Sequence, residues 1–357
     1  MNKLTSLLAG NKQIFSYLVA LLFTFSPAII QAQTMDVKLV NSEENRKVDV
    51  IINDTLFTSF QYPGNIEKPF LYPVCAPDGT VITRGFPLEA RPGERVDHPH
   101  QLGIWFNHGN VNGLDFWNNS SAIPSDKKDS YGQIIVKKIT RSESGKRGIL
   151  EVISVWNDNK GNTLLVENTS YIFTATENSR TIDHVSVLTV IDQPVVISDN
   201  KEGLFAIRVD RAFEMPTDES LIFTDSKGNP TAVKSIDNKG VTGMFTSSSG
   251  LKGDSVWGTR NNWVMLSGVK EGVAISFGIF DHPKNPGFPA YAHARGYGLF
   301  SVNNLGQNSY DPKMEKVVYN LEKGESMTLR HRFYVESGSE ITSDEADKIA
   351  EEFAKLY

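Results

Sequence analysis

The sequence has a single cysteine, Cys75, and no run of basic residues. One cysteine excludes an internal disulfide, so a packed core has to supply the stability. A formal net charge of −6 without a basic cluster argues against a partner made of nucleic acid. The motifs G-x-S-x-G, H-E-x-x-H and the Walker loop do not occur, so a serine hydrolase, a zincin protease and a nucleotide cofactor are not expected.

The N-terminus resembles a targeting signal. Lys3 and Lys12 are the only charges before an apolar run at residues 17–25, and small residues follow up to Ala32. This order predicts a secretory signal peptide over residues 1–32. A retained membrane anchor is the alternative, but it needs about 20 apolar residues and this run is shorter. Because Cys75 lies far downstream, no lipid-modified N-terminal cysteine is expected. The sequence therefore predicts a periplasmic or secreted protein without an integral membrane span.

The remaining chain, residues 33–357, shows short β-type runs separated by turn residues. Four of these runs, at 133–140, 148–156, 164–174 and 182–191, predict a meander with hairpin-like connections. No helical pattern of 10–15 residues separates the runs, so a parallel βαβ fold is not expected. We see no linker rich in proline, glycine or serine. One large antiparallel β-sandwich is therefore favoured over two smaller domains.

One helix is predicted near the C-terminus. Thr342 and Glu345 have the spacing of a capping box. An apolar stripe at helical spacing follows them: Ala346, Ile349, Ala350, Phe353 and Leu356. The pattern predicts a helix at about 343–356 that packs across the sheet.

Residues 91–117 form the first candidate for a functional site, because polar groups alternate there with large aromatics and glycines. In an extended segment His98 and His100 would project to the same side, and Pro99 would stiffen them. Two such imidazoles suit a divalent metal, zinc above all, with a third histidine from His108, His282 or His293 and with Asp97 as an orienting carboxylate. Without a metal, His98, His100 and His108 are predicted to act as catalytic acids or bases. The alternative is that these histidines bind carbonyl groups or stack on Trp105. The predicted substrate-binding residues of this stretch are Trp105, Asn107, Asp115 and Trp117.

A second Asp-His-Pro sequence opens the segment 281–298, which is rich in proline and in ionisable and aromatic groups. Two such loops on one sandwich are expected to converge on one cleft, with His282 and His293 as catalytic candidates. Tyr291 and Arg295 are the matching substrate-binding candidates. The alternative is a pair of unrelated surface loops.

Two further clusters are candidates. Lys201 and Glu202 could form a proton-transfer pair, although such a run is more often a solvated turn with a surface ion pair. The segment 257–263 combines Arg260, two amides and two tryptophans, as sugar sites do; a hairpin with a core tryptophan is its alternative. Arg260 and Arg295 would hold hydroxyls or a uronate. A cupin is disfavoured, because Ile104 and Trp105 occupy the positions where its acid would follow H-x-H.

With these residues in view, the chain resembles the PmoA-like family of exported bacterial proteins, a domain of unknown function. The resemblance rests on the segments 72–79, 97–117, 201–209 and 281–306. This chain has Gln101 where the family usually has a basic residue or histidine. The closing segment 321–335 is also similar to galactose-mutarotase-like supersandwiches, which implies a sugar-facing β-sandwich with histidine and carboxylate chemistry.

The sequence therefore predicts an exported carbohydrate-active enzyme that acts on a sugar or glycoside by proton transfer, with possible help from a metal. A lyase, an epimerase and a hydrolase remain open. The competing prediction is a non-catalytic glycan-binding β-sandwich, which needs aromatics and amides but no converging ionisable groups.

Overall fold

Alternating apolar residues run along most of the chain, and in the computed structural model they form β-strands. The structure describes residues 34–233 and 237–357, so the signal peptide predicted for residues 1–32 lies outside the described residues. In chain order the described strands are β1 (Val37–Ser42), β2 (Lys47–Ile52), β3 (Thr55–Gln61), β4 (Phe70–Val74), β5 (Ile104–His108), β6 (Gln133–Glu143), β7 (Gly148–Asn157), β8 (Thr163–Ala175), β9 (Ser179–Val190), β10 (Val195–Ser198), β11 (Gly203–Arg208), β12 (Leu221–Thr224), β13 (Pro230–Val233), β14 (Met244–Ser247), β15 (Arg260–Asn261), β16 (Trp263–Lys270), β17 (Val273–Asp281), β18 (Ala290–Arg295), β19 (Leu299–Asn303), β20 (Val318–Leu321) and β21 (Ser326–Ser337).

Two large antiparallel sheets contain most of these strands. The nine-stranded sheet has the order β1-β2-β3-β4-β5-β11-β19-β18-β15, and the eight-stranded sheet has the order β14-β16-β17-β21-β9-β8-β7-β6. Two smaller ladders pair β10 with β20 and β12 with β13. The predicted meander is confirmed, because β6 to β9 are consecutive neighbours in the eight-stranded sheet. The predicted fold class, an all-β antiparallel sandwich, is therefore confirmed.

The core lies between the two large sheets. In β2 every second residue is buried, so Val48, Val50 and Ile52 pack inward while their neighbours are partly exposed. Aromatic rings from the two sheets meet in this layer: Phe106 of β5 lies 6.2 Å from Trp156 of β7, measured between ring centroids. Such rings bury large apolar areas, each worth roughly 1.5–3 kcal/mol of stabilisation. This packing holds the nine-stranded sheet in a fixed position, with its other face free to carry a site.

The C-terminal helix α1 (Ser343–Ala354) begins as the sequence predicts. The backbone N–H of Glu345 donates to the Thr342 hydroxyl at 3.3 Å, and the Glu345 carboxylate accepts from the Thr342 N–H at 2.8 Å, which confirms the capping box. Ala346 and Phe353 are buried against β16 and β17. Leu356 is 40% exposed, so the apolar stripe ends before it and the helix ends earlier than predicted. Within the described residues, α1 and the short 3-10 turns are too short or too polar to cross a membrane.

Candidate active site

Strand β18 divides its side chains between the core and the outer face of the nine-stranded sheet. Ala290, Ala292 and Ala294 belong to the core between the sheets. Since side chains alternate along a strand, His293 and its neighbours at positions 291 and 295 project from the opposite face. Small residues inward and large ionisable or aromatic residues outward give this strand a functional face.

Strand register places the candidates on one row across four neighbouring strands. Trp105 of β5 pairs with Ala206 of β11, Ala206 pairs with Ser301 of β19, and Ser301 pairs with His293 of β18. Directly paired residues share a face of the sheet. The two small side chains in the middle of the row leave room for the buried ring of Trp117, which lies 5.1 Å from Trp105 and 6.4 Å from His293 between ring centroids.

His293 and Glu202 meet at one end of this row. The Glu202 carboxylate lies 4.0 Å from Nδ1 of His293, and the Lys201 ammonium lies 3.2 Å from the same carboxylate group. Nδ1 of His293 is buried and has no hydrogen-bond partner among the described residues. Burial, and next the positive charge of Arg295, lower the pKa of His293 to about 3, so the ring is neutral near pH 7. A neutral imidazole beside a partly exposed carboxylate can accept a proton and then be stabilised as imidazolium.

The loop that carries Glu202 is fixed from both sides. The Tyr310 hydroxyl donates to the Lys201 carbonyl at 2.6 Å, and the Asn303 amide donates to the same carbonyl at 3.1 Å. Tyr310 also meets the His293 ring edge-on, with the centroids 6.0 Å apart. Packing and hydrogen bonds that form on folding therefore hold Glu202 and His293 in place before a substrate binds, as a preorganised site requires.

The Asp-His-Pro-His segment, residues 97–100, lies near the Trp105 end of the row, but it does not have the extended backbone that the sequence predicts. His98 has a positive φ of 43°, and the N–H of Gln101 donates to the His98 carbonyl at 3.0 Å, so residues 98–101 form a turn. The expected extended segment is therefore wrong. The two rings still approach each other, with centroids 5.6 Å apart, and His98 stacks on Tyr297 at 5.1 Å.

His100 lies below this turn in a strongly cationic environment. Burial, and next the charge of Lys68, lower the pKa of His100 to about 2. Its Nε2 atom is buried without a hydrogen-bond partner in the described chain. His98, by contrast, has a side chain that is 42% exposed. The turn thus presents one histidine to solvent and keeps the other inside.

An open cleft of about 430 Å³ adjoins the site. Its lining includes Asp97, His98, Arg295 and Tyr297, together with the acidic residues Asp254 and Glu219. This volume is within the range of ligand pockets, about 300–1,000 Å³. Arg295 stacks on Trp257, with its guanidinium carbon 4.6 Å from the ring centroid. A small ligand in this cleft could therefore touch both Arg295 and the exposed His98.

The remaining candidates of the first stretch have local hydrogen bonds. Nε2 of His108 lies 2.8 Å from the Ser198 carbonyl and so carries the ring proton. Asp115 accepts from the backbone N–H groups of Trp117 and Asn118, and the Asn107 amide donates to a backbone carbonyl. Among the residues that the structure describes, no group of three or more His, Cys, Asp or Glu side chains is arranged to hold a metal ion. His108 therefore does not complete a ligand set with His98 and His100, and the predicted metal stays a prediction.

Two candidates of the later segments lie outside this group. His282 bonds the Leu356 carbonyl through Nε2 at 2.7 Å, accepts from the Lys284 N–H through Nδ1, and meets Phe353 edge-on. It therefore ties β17 to the C-terminal helix, and the predicted convergence of both Asp-His-Pro loops is wrong for this residue. The Arg260 guanidinium donates to the carbonyls of residues 287, 288 and 289 through Nε and Nη2, so three of its five donors are used within the chain. Tyr291 stacks on Tyr310 behind the site.

The contacts of His282 give a prediction. His282→Ala removes the two ring hydrogen bonds and the contact with Phe353, and leaves the partly buried Leu356 carbonyl without its donor, which should lower the free energy of unfolding by about 1–3 kcal/mol. Below its melting temperature the variant should turn over substrate like the wild type. Chemical denaturation and a rate assay on the same preparation test this. A catalytic role for His282 would appear as a lost rate in a fully folded sample.

Sequence reasoning missed Lys68 and Tyr310. Lys68 is buried beside Trp105 and Trp117, and its ammonium donates to the Trp117 carbonyl at 3.0 Å. A single lysine before a strand gives no signal of such a position. Tyr310 lies in a polar loop, and only the three-dimensional fold brings it to His293.

The comparisons with known proteins show the family. Residues 47–351 match the Family of unknown function (DUF6807), and the chain belongs to that family. This match does not name the PmoA-like family, so the resemblance to that family stays a prediction. No curated protein matches the sequence.

Several solved structures are similar to this chain at low identity. A GH36 alpha-galactosidase from Geobacillus stearothermophilus has 12% identity and a TM-score of 0.39, over 85% of this chain and 41% of that one. A putative aldose 1-epimerase from Escherichia coli has 9% identity and a TM-score of 0.28, over 85% and 99% of the two chains. A galactose mutarotase-like protein from Clostridium acetobutylicum has 10% identity and a TM-score of 0.30, over 84% and 98%. The chain spans about two fifths of the length of the alpha-galactosidase.

Proposed function

We propose that the protein is an exported carbohydrate-active enzyme that acts on a sugar or glycoside by proton transfer. The observation that carries this proposal is the pair formed by Glu202 and the neutral, buried His293, whose Nδ1 has no partner among the described residues. In an ion pair with a purely structural role, Nδ1 of His293 would form a hydrogen bond with the carboxylate. The unpartnered nitrogen is free to accept a proton, and the carboxylate 4.0 Å away would stabilise the charge that forms, as in an acid–base pair.

In this proposal His293 accepts a proton from the substrate, and Glu202 stabilises the imidazolium that results. The Lys201 ammonium, 3.2 Å from Glu202, keeps the carboxylate oriented towards the ring. Arg295 and the acidic residues Asp254 and Glu219 of the cleft lining offer donors and acceptors for hydroxyl groups. These roles fit a lyase, an epimerase or a hydrolase.

A divalent metal, with zinc the first choice, remains part of the proposal at His98 and His100. Their rings are neighbours, and a substrate oxygen would have to join them as a ligand. Elemental analysis of protein purified without an affinity tag tests for it directly.

The competing function is glycan binding without turnover. Tyr297, which lines the cleft, could stack on a sugar in this case, whereas the predicted substrate-binding residues Trp105 and Trp117 are buried and only support the site from below. The Glu202–His293 pair favours catalysis, because a binding module gains nothing from a desolvated base.

A screen tests the proposed function. The mature protein is incubated with a panel of neutral and acidic oligosaccharides, and the products are analysed by mass spectrometry and by NMR of the anomeric and ring protons. Catalysis predicts a mass change or a new epimer that is absent with Glu202→Gln. Binding without any product in the whole panel would instead establish the glycan-binding alternative.

A further inference from the structure

Buried hydrogen-bond donors without acceptors cluster around His100. Four such nitrogens have no partner among the described residues: Nε of Arg84, Nε1 of Trp105, Nε1 of Trp117 and Nε of Arg208. Each of these groups can only donate. Since buried polar atoms in folded proteins are almost always satisfied, several unsatisfied donors in one place point to a ligand that accepts.

These donors form two groups near His100, whose pKa the charges of Lys68, Arg208 and Arg84 all lower. The Trp105 and Trp117 rings are 5.1 Å apart, and the Lys68 ammonium lies 5.9 Å from the centroid of Trp105. Arg84 and Arg208 both donate to one oxygen of Asp97, at the start of the turn that carries His100. We call these residues the His100 region: Lys68, Arg84, His100, Trp105, Trp117 and Arg208.

Positive charge exceeds negative charge in the His100 region. Arg84 and Arg208 share the carboxylate of Asp97, and Lys68 has no ion pair among the described residues. Glu94, the other acid near Arg84, pairs with Arg91 at 2.8 Å. The acids nearest to Lys68 are used elsewhere: Glu67 pairs with Lys128 at 3.1 Å, and Asp115 accepts from backbone N–H groups. Glu214 pairs with Arg95. Asp254 and Glu219 line the neighbouring cleft.

Lys68 is the least compensated of these cations. It is 2% exposed, forms no ion pair among the described residues, and uses one of its three donors, towards the Trp117 carbonyl. A buried ammonium without a carboxylate is costly, and an anionic ligand would remove that cost.

We propose that the His100 region binds a carboxylate of the substrate, so that the substrate class of the proposed enzyme is an acidic sugar, a uronate. A carboxylate has only acceptor positions to offer, and it forms short charge-assisted hydrogen bonds with ammonium and guanidinium groups. The inference rests on the proposed function. Entry of the carboxylate requires the turn at 98–101 to shift, and His98 forms the exposed end of that turn.

The test is calorimetric binding of galacturonate and glucuronate, compared with galactose and glucose, to the full mature protein. We expect the acidic sugars to bind at least tenfold more tightly than the neutral ones at pH 6.5 and low salt. Burial lowers the pKa of Lys68 to about 7. A bound carboxylate restores the ammonium, so binding should take up protons at pH 8, measured with buffers of different ionisation enthalpy.

Lys68→Met should abolish the preference for the acidic sugars and the proton uptake, and leave the affinity for neutral sugars within about threefold. Lys47→Met, a half-exposed lysine on β2, is the control that should keep both. If Lys68→Met does not fold, Trp117→Phe, which removes one donor, must lower the preference severalfold; an unchanged preference overturns the inference.

Two results would overturn the inference and leave the proposed function standing. One is turnover of neutral sugars with no preference for acids. The other is acetate binding as tightly as the uronates, which would show that the sugar is not recognised. If no sugar binds or reacts, the proposed function fails as well.

Discussion

Replacing Glu202 by glutamine is expected to lower kcat/KM by about 10²–10⁴-fold on whichever sugar the screen identifies, because removal of a positioned acid–base group typically has this effect. The amide keeps the size of the side chain but cannot stabilise the imidazolium that forms at His293, 4.0 Å away. His293→Gln should cause a similar loss. Initial rates on protein whose fold is verified by circular dichroism measure both effects.

The double variant distinguishes a working pair from two independent contributions. If Glu202 and His293 act together, the loss in the double variant should be close to that of either single variant. Glu143→Gln is a matched control, since Glu143 is an exposed carboxylate in a surface pair with Arg141. Full activity of Glu202→Gln would refute the proposed mechanism.

Replacing Asp97 by asparagine is expected to cause the largest loss of stability, about 3 kcal/mol, at the low end of the range for a broken buried ion pair. Asp97 is the carboxylate partner of both Arg84 and Arg208, whose side chains are 1% and 0% exposed. Without it, two buried guanidinium groups lose their counter-charge. Asp97 is itself 29% exposed, so solvent screens part of the effect.

The pH dependence follows from the carboxyl of Asp97. Burial raises its pKa, but the hydrogen bond from His98 and the charges of Arg208 and Arg84 outweigh this and hold the pKa well below its usual range. A carboxyl with a depressed folded pKa stabilises the protein fully above its unfolded pKa, about 3.9, and loses that contribution as the pH falls. The stability difference between wild type and Asp97→Asn should therefore be constant from pH 5 to 8 and shrink below about pH 4.

Urea denaturation at a series of pH values measures this difference. Asp36→Asn, at an exposed carboxylate that pairs with Lys146, serves as control and should change the stability by less than about 0.5 kcal/mol. If Asp97→Asn also changes the stability by less than about 0.5 kcal/mol, the prediction is wrong, and solvent rather than Asp97 stabilises the charges of Arg84 and Arg208.

Local patterns predicted much of the fold. The meander at β6 to β9 and the capping box at Thr342 both follow from rules that act over a few residues. The pairing of β5 with β11, and of β11 with β19, joins residues about 100 positions apart. Turn chemistry and periodicity contain no information about such partners, so the row from Trp105 to His293 could not be derived from the sequence.

Sequence reasoning found the site residues that their ionisable side chains reveal, and it missed those whose role depends on tertiary contacts. His293 and Glu202 were recognised as ionisable candidates, and they meet because Tyr310 and Asn303 hold the intervening loop. His282 has the same Asp-His-Pro context as His98, yet it binds the end of the C-terminal helix. The two loops differ in their packing partners, since His282 contacts the C-terminal segment and His98 stacks on Tyr297. Neither partner can be read from the Asp-His-Pro sequence itself. The turn at His98 was missed because a non-glycine residue with positive φ is uncommon.

The alanines of β18 have a consequence for how this protein could diversify. Ala290, Ala292 and Ala294 fill the interior with methyl groups, so the interior places few demands on the residues between them. Exchanges at positions 291 and 295 would alter the site face of the nine-stranded sheet and leave the layer between the two sheets unchanged. A library randomised at these two positions, with His293 kept as the proposed base, should therefore contain a large fraction of folded members with altered ligand preference, which makes β18 the natural starting strand for directed evolution of this scaffold.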